Sequence, residues 1–519
     1  MLLRKYTKMK MMNNKLKRSI LAATLAITGL SAFAQHGDQP ASTDKNEIAR
    51  LKAKVENAPD SLTYQREYIK AVGIDTKEID AQYAKWIQKY PKSDVFPFAL
   101  GEAFTKIESP KAKPFLLEAV KRNPKNAKAW GALSEDSQRW GDFNAGEKYL
   151  QKAMEADPTN SDFAFRYTQK FSEDWKEYQR VSLDYSKRFP ENWTATAAIL
   201  LLGIKAPTYE EKIKYLDMAY RNASIETNPS AGVAAFRLFN ALLEKYPQRA
   251  LDLARELSSK PKVAEQWLKN IELAEQFIAA RNFLDQGKGA DALPIIEKLK
   301  FSRYVKPSQL VLAMKAEAID ETGNTQAAYD TLLTALSKNP KVFIYEKLSK
   351  YASKLSKSKS DLTRDIISQL TRVAQPATDF SLKRYVGSGN ASLKDFQGKA
   401  VLLTYWFPGC GPCRGEFPHF QRVVNQFGAD KLAYIGLNIA PEQNEYVVPF
   451  LKQSGYSFQA LEDVKGRKKG NLDNRTAAPV NFIIDGKGRI LFSNFMIDDL
   501  EAEADLKLMI DLAVNSSNS

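Results

Sequence analysis

Trp406-Phe407-Pro408-Gly409-Cys410-Gly411-Pro412-Cys413 is the stretch that decides how this chain is read. It carries the only two cysteines among 519 residues, spaced C-x-x-C. Such a pair either supplies half of a metal site or runs dithiol–disulfide chemistry. A tetrahedral zinc site needs further ligands. No other cysteine exists, and the two histidines, His36 and His419, stand in poor positions to serve. Redox chemistry is the stronger reading, with no metal and no cofactor beyond a redox-active Cys410–Cys413 disulfide.

The flanks place the pair. Ala400–Trp406 is an apolar, β-rich run, and Gly411–Phe427 reads as a helix. Cys410 therefore falls at the start of a helix, just after a strand. Free backbone N–H groups and the helix dipole favour a thiolate there. Cys410 is expected to be the exposed nucleophile, and Cys413, one turn inside, the resolving thiol. Gly411 and Pro412 allow the tight turn, and a proline in the first helical turn loses no hydrogen bond.

Further along, Leu432–Ile439 reads as a buried strand, Glu442–Ser454 as a helix and Phe458–Leu461 as a short strand. Val480–Asp485 and Arg489–Asn494 flank the hairpin signal Gly486-Lys487-Gly488, and Leu500–Val514 closes as a helix. The order β-α-β-α-β-β-β-α over residues 373–519 predicts an α/β domain on a mixed sheet.

The segment Trp406–Cys413 is similar to the active-site segment of thioredoxins. The domain more closely resembles the TlpA/ResA-type extracytoplasmic thiol–disulfide oxidoreductases. The resemblance rests also on Asp379-Phe380-Ser381-Leu382, Leu393–Lys399, Arg414-Gly415-Glu416-Phe417-Pro418 and Ala478-Pro479. It implies a thioredoxin-like fold and several roles. Pro479 matches the cis-proline beside the cysteines, which lets the backbone at Ala478 pair with an extended client segment. Glu416 matches an acidic residue held near the pair, able to shuttle a proton to or from Cys413. Trp406 is expected beside the site, with Ala478, Gly411 and Pro412 as further client contacts. Pro418 is expected to kink the helix. Thr404 stands where cytoplasmic thioredoxins bury an aspartate, which strengthens the case for Glu416. Gly409 stands where tryptophan is usual, and Ala478 where a bulkier residue is commoner.

Residues 46–372 read differently, with apolar residues at three- and four-residue steps. Pro59, Pro91, Pro124, Pro158 and Pro190 close helical runs at spacings of 32, 33, 34 and 32. Ala127–Pro158 carries Trp130, Leu133, Gly141, Leu150 and Ala153. Gln309–Pro340 carries Leu312, Gly323, Ala328, Leu332 and Ala335. This array resembles tetratricopeptide repeats, which implies a helical solenoid whose face binds a partner protein. Between residues 175 and 300 the register fades. Ser353–Asp361 is a polar, low-complexity stretch before a short helix at Leu362–Arg372.

The first 34 residues carry Arg4, Lys5, Lys8, Lys10, Lys15, Lys17 and Arg18, then the apolar run Ile20–Gly29 and the small residues Ala32-Phe33-Ala34. This is a secretory signal pattern, cut after Ala34, with residues 35–45 as a flexible lead-in. No cysteine near the cut allows lipid attachment. The expected location is the periplasm, as a soluble protein rather than a lipoprotein. Seven of the bases behind the formal charge of +15 lie in this leader, so the remainder is ordinary and gives no reason to invoke nucleic acid. Lys465-Gly466-Arg467-Lys468-Lys469 reads as a solvated helix start, and His419 as a helix-surface residue with no acid to orient it.

The chain is thus expected to be multidomain, a tetratricopeptide-like solenoid followed by a thioredoxin-like domain. The function expected is an exported oxidoreductase, reducing disulfides of client proteins with electrons from a membrane donor. Two alternatives stand beside it. One is a thiol peroxidase, although Phe407 occupies the position of the peroxiredoxin threonine. The other is a non-enzymatic binding scaffold.

Overall fold

A helix cannot continue through proline, whose ring clashes with the preceding turn and which lacks an N–H. The helices Lys45–Asn57, Lys77–Lys89, Ala112–Arg122, Phe143–Ala156 and Trp175–Arg188 accordingly end two residues before Pro59, Pro91, Pro124, Pro158 and Pro190. Two residues after four of these prolines, Ser61, Asn126, Asn160 and Asn192 cap the next helix by accepting backbone N–H groups. The computed structural model describes residues 44–301 and 306–517. The leader expected over residues 1–34 lies outside the described residues, as does most of the lead-in.

Among the described residues, nineteen α-helices run from α1 (Lys45–Asn57) to α19 (Lys359–Val373) before the sheet begins. They stack chiefly on their sequence neighbours, as a repeat region does. Side-chain bonds recur at a separation of 36 residues: Arg66 to Glu102, Trp175 to Glu211 and Tyr329 to Asp365. Where the sequence period fades, helix lengths become uneven, α14 (Ala264–Asp285) reaching 22 residues. The polar Ser353–Asp361 stretch spans a helix junction. It ends one helix and starts another, with Ser358 and Asp361 forming a capping box.

Past Val373 come β1 (Gln375–Pro376), β2 (Ser381–Lys383), β3 (Asn390–Ser392), β4 (Ala400–Trp406), β5 (Leu432–Asn438), β6 (Gln459–Glu462), β7 (Val480–Ile484) and β8 (Arg489–Ser493). Six of them form a sheet in the order β1-β8-β7-β4-β5-β6, and β2 pairs with β3. β4 lies parallel to β5 and antiparallel to β7. Its seven residues are all buried. Val401, Leu403 and Tyr405 face one core, while Ala400, Leu402 and Trp406 face the other. A strand covered on both faces reads as a continuous apolar run, which is why it was legible. The helices are α20 (Gly411–Val424), α21 (Asn444–Ser454) and α22 (Leu500–Ser517). Pro418 lies inside α20 without ending it. The basic cluster expected as a solvated helix start is instead a loop. Arg467 and Lys469 both pair with the buried Asp463, at 2.8 and 2.6 Å, because a buried carboxylate requires partners.

Among the described residues the two regions meet at several places, including a Glu173–Arg422 ion pair at 3.2 Å. α16 (Lys306–Glu321) to α19 share one apolar core with the sheet and α22. Leu332, Leu348, Ile366 and Leu370 belong to the same cluster as Leu402, Leu506 and Ile510. Asp505 on α22 accepts from Lys341 Nζ and from the Val342 N–H, both at 2.8 Å. Far earlier in the chain, α6 (Ala127–Arg139) and α7 (Phe143–Ala156) meet α21. Asp136 accepts from Tyr446 at 2.8 Å, the Trp140 ring stands edge-on to Tyr446 at 4.7 Å, and Phe143 packs on Phe450.

Gly141 and Gly323 both sit between paired helices with φ of +74° and +87°. Only Gly141 also touches the other domain, where a Cβ would lie 2.7 Å from the Phe450 carbonyl oxygen; at Gly323 nothing lies within 4 Å. Gly323→Ala is expected to cost about 1 kcal/mol, the penalty of a side chain in left-handed backbone. Gly141→Ala is expected to cost roughly 1–3 kcal/mol more through overpacking against Phe450. Urea unfolding of the two variants checks this, and equal losses would mean that the α6–α7 turn does not bear on α21.

Candidate active site

β4 ends at Trp406, and the chain must turn within a few residues to enter α20. Cys410 is the N-cap of α20, with φ −69° and ψ 98°, and its sulfur accepts from the Cys413 N–H at 3.3 Å. Gly411 and Pro412 form the first turn, where proline's missing N–H is no loss. Cys410 and Cys413 are joined as a disulfide. Among the described residues no group of three or more His, Cys, Asp or Glu side chains is placed to hold a metal ion.

Cys413 is fully buried, and Cys410 is only 3% exposed, which corrects the expectation of an exposed nucleophile. The loop leading into it is held from two sides. The Gly409 N–H donates to Gln443 Oε1 at 2.6 Å, and Gln443 Nε2 donates to Glu108 Oε2 at 2.6 Å. Glu108 belongs to the helical region. On the other flank, Arg414 Nη1 donates to the Pro408 carbonyl at 2.6 Å. Burial, and then the nearby Arg139 cation, push the Arg414 guanidinium down to about 10. It still carries its charge at neutral pH, beside the cysteine loop.

Glu416 lies one turn beyond Cys413 on α20 and is 3% exposed. Burial pushes its carboxyl up to about 8, against the pull of two hydrogen-bond donors. One is the Ile497 N–H at 2.8 Å. The other is Asn481 Nδ2, which reaches both carboxylate oxygens at 3.2 and 3.1 Å. Asn481 stands opposite Thr404 in the β4–β7 ladder. Both are fully buried, and Thr404 Oγ1 and Asn481 Oδ1 have no hydrogen-bond partner.

The Ala478–Pro479 peptide is cis. It leads directly into β7, whose Val480 pairs with Tyr405, so it lies beside the end of β4 from which the cysteine loop departs. Ala478 packs against the cluster that contains both cysteines. Trp406 does not line a surface. It is fully buried among Phe417, Phe450 and Phe458, with ring centroids 4.9–5.5 Å away, and offers a client no face in this arrangement. His419 is not a surface residue without an acid either. It is 8% exposed, and its Nδ1 lies 2.8 Å from Glu503 Oε2, which also takes Arg422 at 2.8 Å. Glu503 comes from α22, 84 residues along the chain, so no local pattern could have paired it.

Sequence reasoning missed Asn481, Gln443, Arg414 and Glu108. Asn481 had a signal: it is the single polar residue within the apolar run Val480–Ile484. Arg414 adjoins a cysteine but looks like any helix arginine. The Glu108–Gln443 bond spans 335 residues and had no signal at all.

A family profile described as the AhpC/TSA family matches residues 373–493, beginning where the helical stack ends. Thioredoxin-like protein YneN of Bacillus subtilis is 39% identical over 119 residues, which cover 22% of this chain and 67% of that protein. The thiol-disulfide oxidoreductase ResA of Oceanobacillus iheyensis is 27% identical over 126 residues, covering 24% of this chain and 64% of that protein. The solved thioredoxin domain of a thiol-disulfide oxidoreductase from Bacteroides vulgatus is 21% identical with a TM-score of 0.23, covering 26% of this chain and 94% of that one. By its C-terminal domain the chain belongs to the thioredoxin-like thiol–disulfide oxidoreductases.

Proposed function

We propose that the chain is an exported reductase of protein disulfides, acting outside the cytoplasm through Cys410 and Cys413. The observation that carries this reading is the disulfide itself, capping α20 with Glu416 buried one turn below it. Once the pair is reduced, the Cys410 thiolate attacks one sulfur of a client disulfide. A Cys410–client bond forms, the client S–S bond breaks, and the client's second sulfur leaves as a thiolate. Cys413 then attacks Cys410 Sγ, which restores the Cys410–Cys413 bond and releases the first client sulfur. Two electrons pass to the client. Glu416, protonated at neutral pH, relays the proton: it passes its own to the departing client thiolate and takes the one that Cys413 gives up. The Ala478–Pro479 segment aligns the client strand beside the cysteines.

The leader pattern supports export, and the family resemblance supports a periplasmic setting with a membrane electron donor. The helical stack is read as tetratricopeptide-like, holding a client or partner protein. A thiol peroxidase is the second reading, favoured only by the description of the matched family profile. Insulin-disulfide reduction and peroxide consumption, measured side by side, separate the two. Cys410→Ser is expected to abolish insulin reduction, and Cys413→Ser to accumulate mixed disulfides with clients in extracts. Wild-type protein that consumes peroxide but leaves insulin oxidised would replace the reductase reading with the peroxidase. Inactivity in both assays would leave a binding scaffold.

Glu416 gives a second test. Its carboxyl keeps its proton to about pH 8 in the folded chain and loses it near 4.5 when unfolded. Between those values the folded state binds the extra proton, so this group makes stability fall as pH rises from 4.5 to about 8. Glu416→Gln is expected to flatten that slope in urea titrations. It should also slow resolution of the mixed disulfide by about 10²-fold, the usual weight of a positioned acid–base group. Should the Gln variant keep both the slope and the rate, Glu416 is not the proton carrier.

A further inference from the structure

Two residues at the domain junction depart from local expectation in complementary ways. Glu108 follows α4 (Val95–Lys106) with left-handed backbone, φ +54°. Its N–H donates to the Thr105 carbonyl at 3.0 Å and the Ser109 N–H to Phe104 at 2.9 Å, closing the helix end at a position that favours glycine. A glutamate is disfavoured there, so its side chain has a use that offsets the strained backbone. Facing it is Gly409, whose φ lies outside the left-handed range and whose backbone therefore does not require glycine. A Cβ on Gly409 would nonetheless collide with the Glu108 carboxylate and stand 2.9 Å from Gln443 Nε2. A side chain occupies a glycine position, and a glycine lies beneath it.

The bonds agree with the shapes. The Glu108 carboxylate accepts from Gln443 at 2.6 Å and lies 3.4 Å from Arg139 Nη2, while Gln443 holds the Gly409 N–H. Directly after Gly409 comes Cys410, 3% exposed.

We propose that Glu108 is a specificity-determining residue of the redox site, supplied by the helical region, which closes Cys410 to bulky disulfides until the turn between α4 and α5 (Ala112–Arg122) lifts. This deepens the reductase reading and rests on Cys410 as the nucleophile. The two ends of the junction differ in how they can part. At the α16–α19 end an apolar core binds the domains, and opening it would expose that core to water. Where the α4–α5 turn meets the cysteine loop the contact is a chain of polar bonds, which water can replace, whereas the neighbouring α6–α7 turn packs apolar rings on α21. Opening therefore takes place at the α4–α5 turn, and a client that cannot displace Glu108 does not reach the sulfur. The arrangement also accounts for the absence of a tryptophan before Cys410, since Glu108 and Gln443 occupy the space it would need.

The test uses the full-length chain carrying Cys413→Ser, in which Cys410 is the only thiol. Its alkylation is timed in parallel with N-ethylmaleimide and with a maleimide bearing a long polyethylene glycol chain. Glu108→Ala and Glu108→Gly are compared with the parent. The glycine variant also relieves the left-handed backbone, so its melting temperature should hold or rise. In both variants the ratio of large-probe to small-probe rate is expected to increase about fivefold, the weight of one lost hydrogen bond. A ratio unchanged in both overturns the proposal. The readout needs no client and no turnover, so its failure is distinct from failure of the insulin assay, which reads the reductase chemistry.

Discussion

The apolar core shared by the last four stacked helices and α22 is the contact on which the other inter-domain geometry depends. It fixes one end of the helical stack to the sheet. In a stack whose members touch mainly their neighbours, small rotations between pairs accumulate along the chain. With one end fixed, that accumulation decides where the early helices arrive. They arrive at α21 and the cysteine loop: Asp136 bonds Tyr446 across 310 residues, and Glu108 bonds Gln443 across 335. The asparagine caps and the 36-residue side-chain bonds within the stack therefore bear on the redox site.

What could be read from the sequence followed the range of the interaction responsible. β4 was legible because burial on both faces writes an unbroken apolar run, and α20 because a glycine and a proline mark its first turn. The helix ends before Pro59, Pro91, Pro124, Pro158 and Pro190 were legible because proline acts locally. β1 to β3 were not, being two or three residues long and carrying no period. Lys465–Lys469 was misread because the partner that draws in Arg467 and Lys469 is a single buried carboxylate. His419 was misread because its partner arrives from another helix. Glu416 was placed by resemblance, but the reason its carboxyl is raised lies in Asn481, Ile497 and burial.

The two sides of the disulfide differ in charge. Arg414 keeps its positive charge at neutral pH and is bonded to the loop that enters Cys410. Glu416, under Cys413, is neutral there. A cation bonded to the cysteine loop favours a thiolate at the site, and a protonated carboxyl brings no repelling charge to it. Both work with the N-cap position of Cys410.

Gly409 changes how the helical region should be regarded. Taken alone, the redox domain has a bare loop before its first cysteine, which looks like an open lip. In the whole chain that bareness is the footprint of Glu108, and Gln443 spends both ends of its amide joining the two. A repeat array is usually thought of as a surface waiting for a partner. Here the turn after α4, the α6–α7 turn and the last four helices already hold the chain's own redox domain. Any further partner has to use what remains of the stack, or displace the early helices. Lifting the α4–α5 turn would uncover Cys410, so binding at that part of the stack and access to the sulfur are linked through the Glu108 contact.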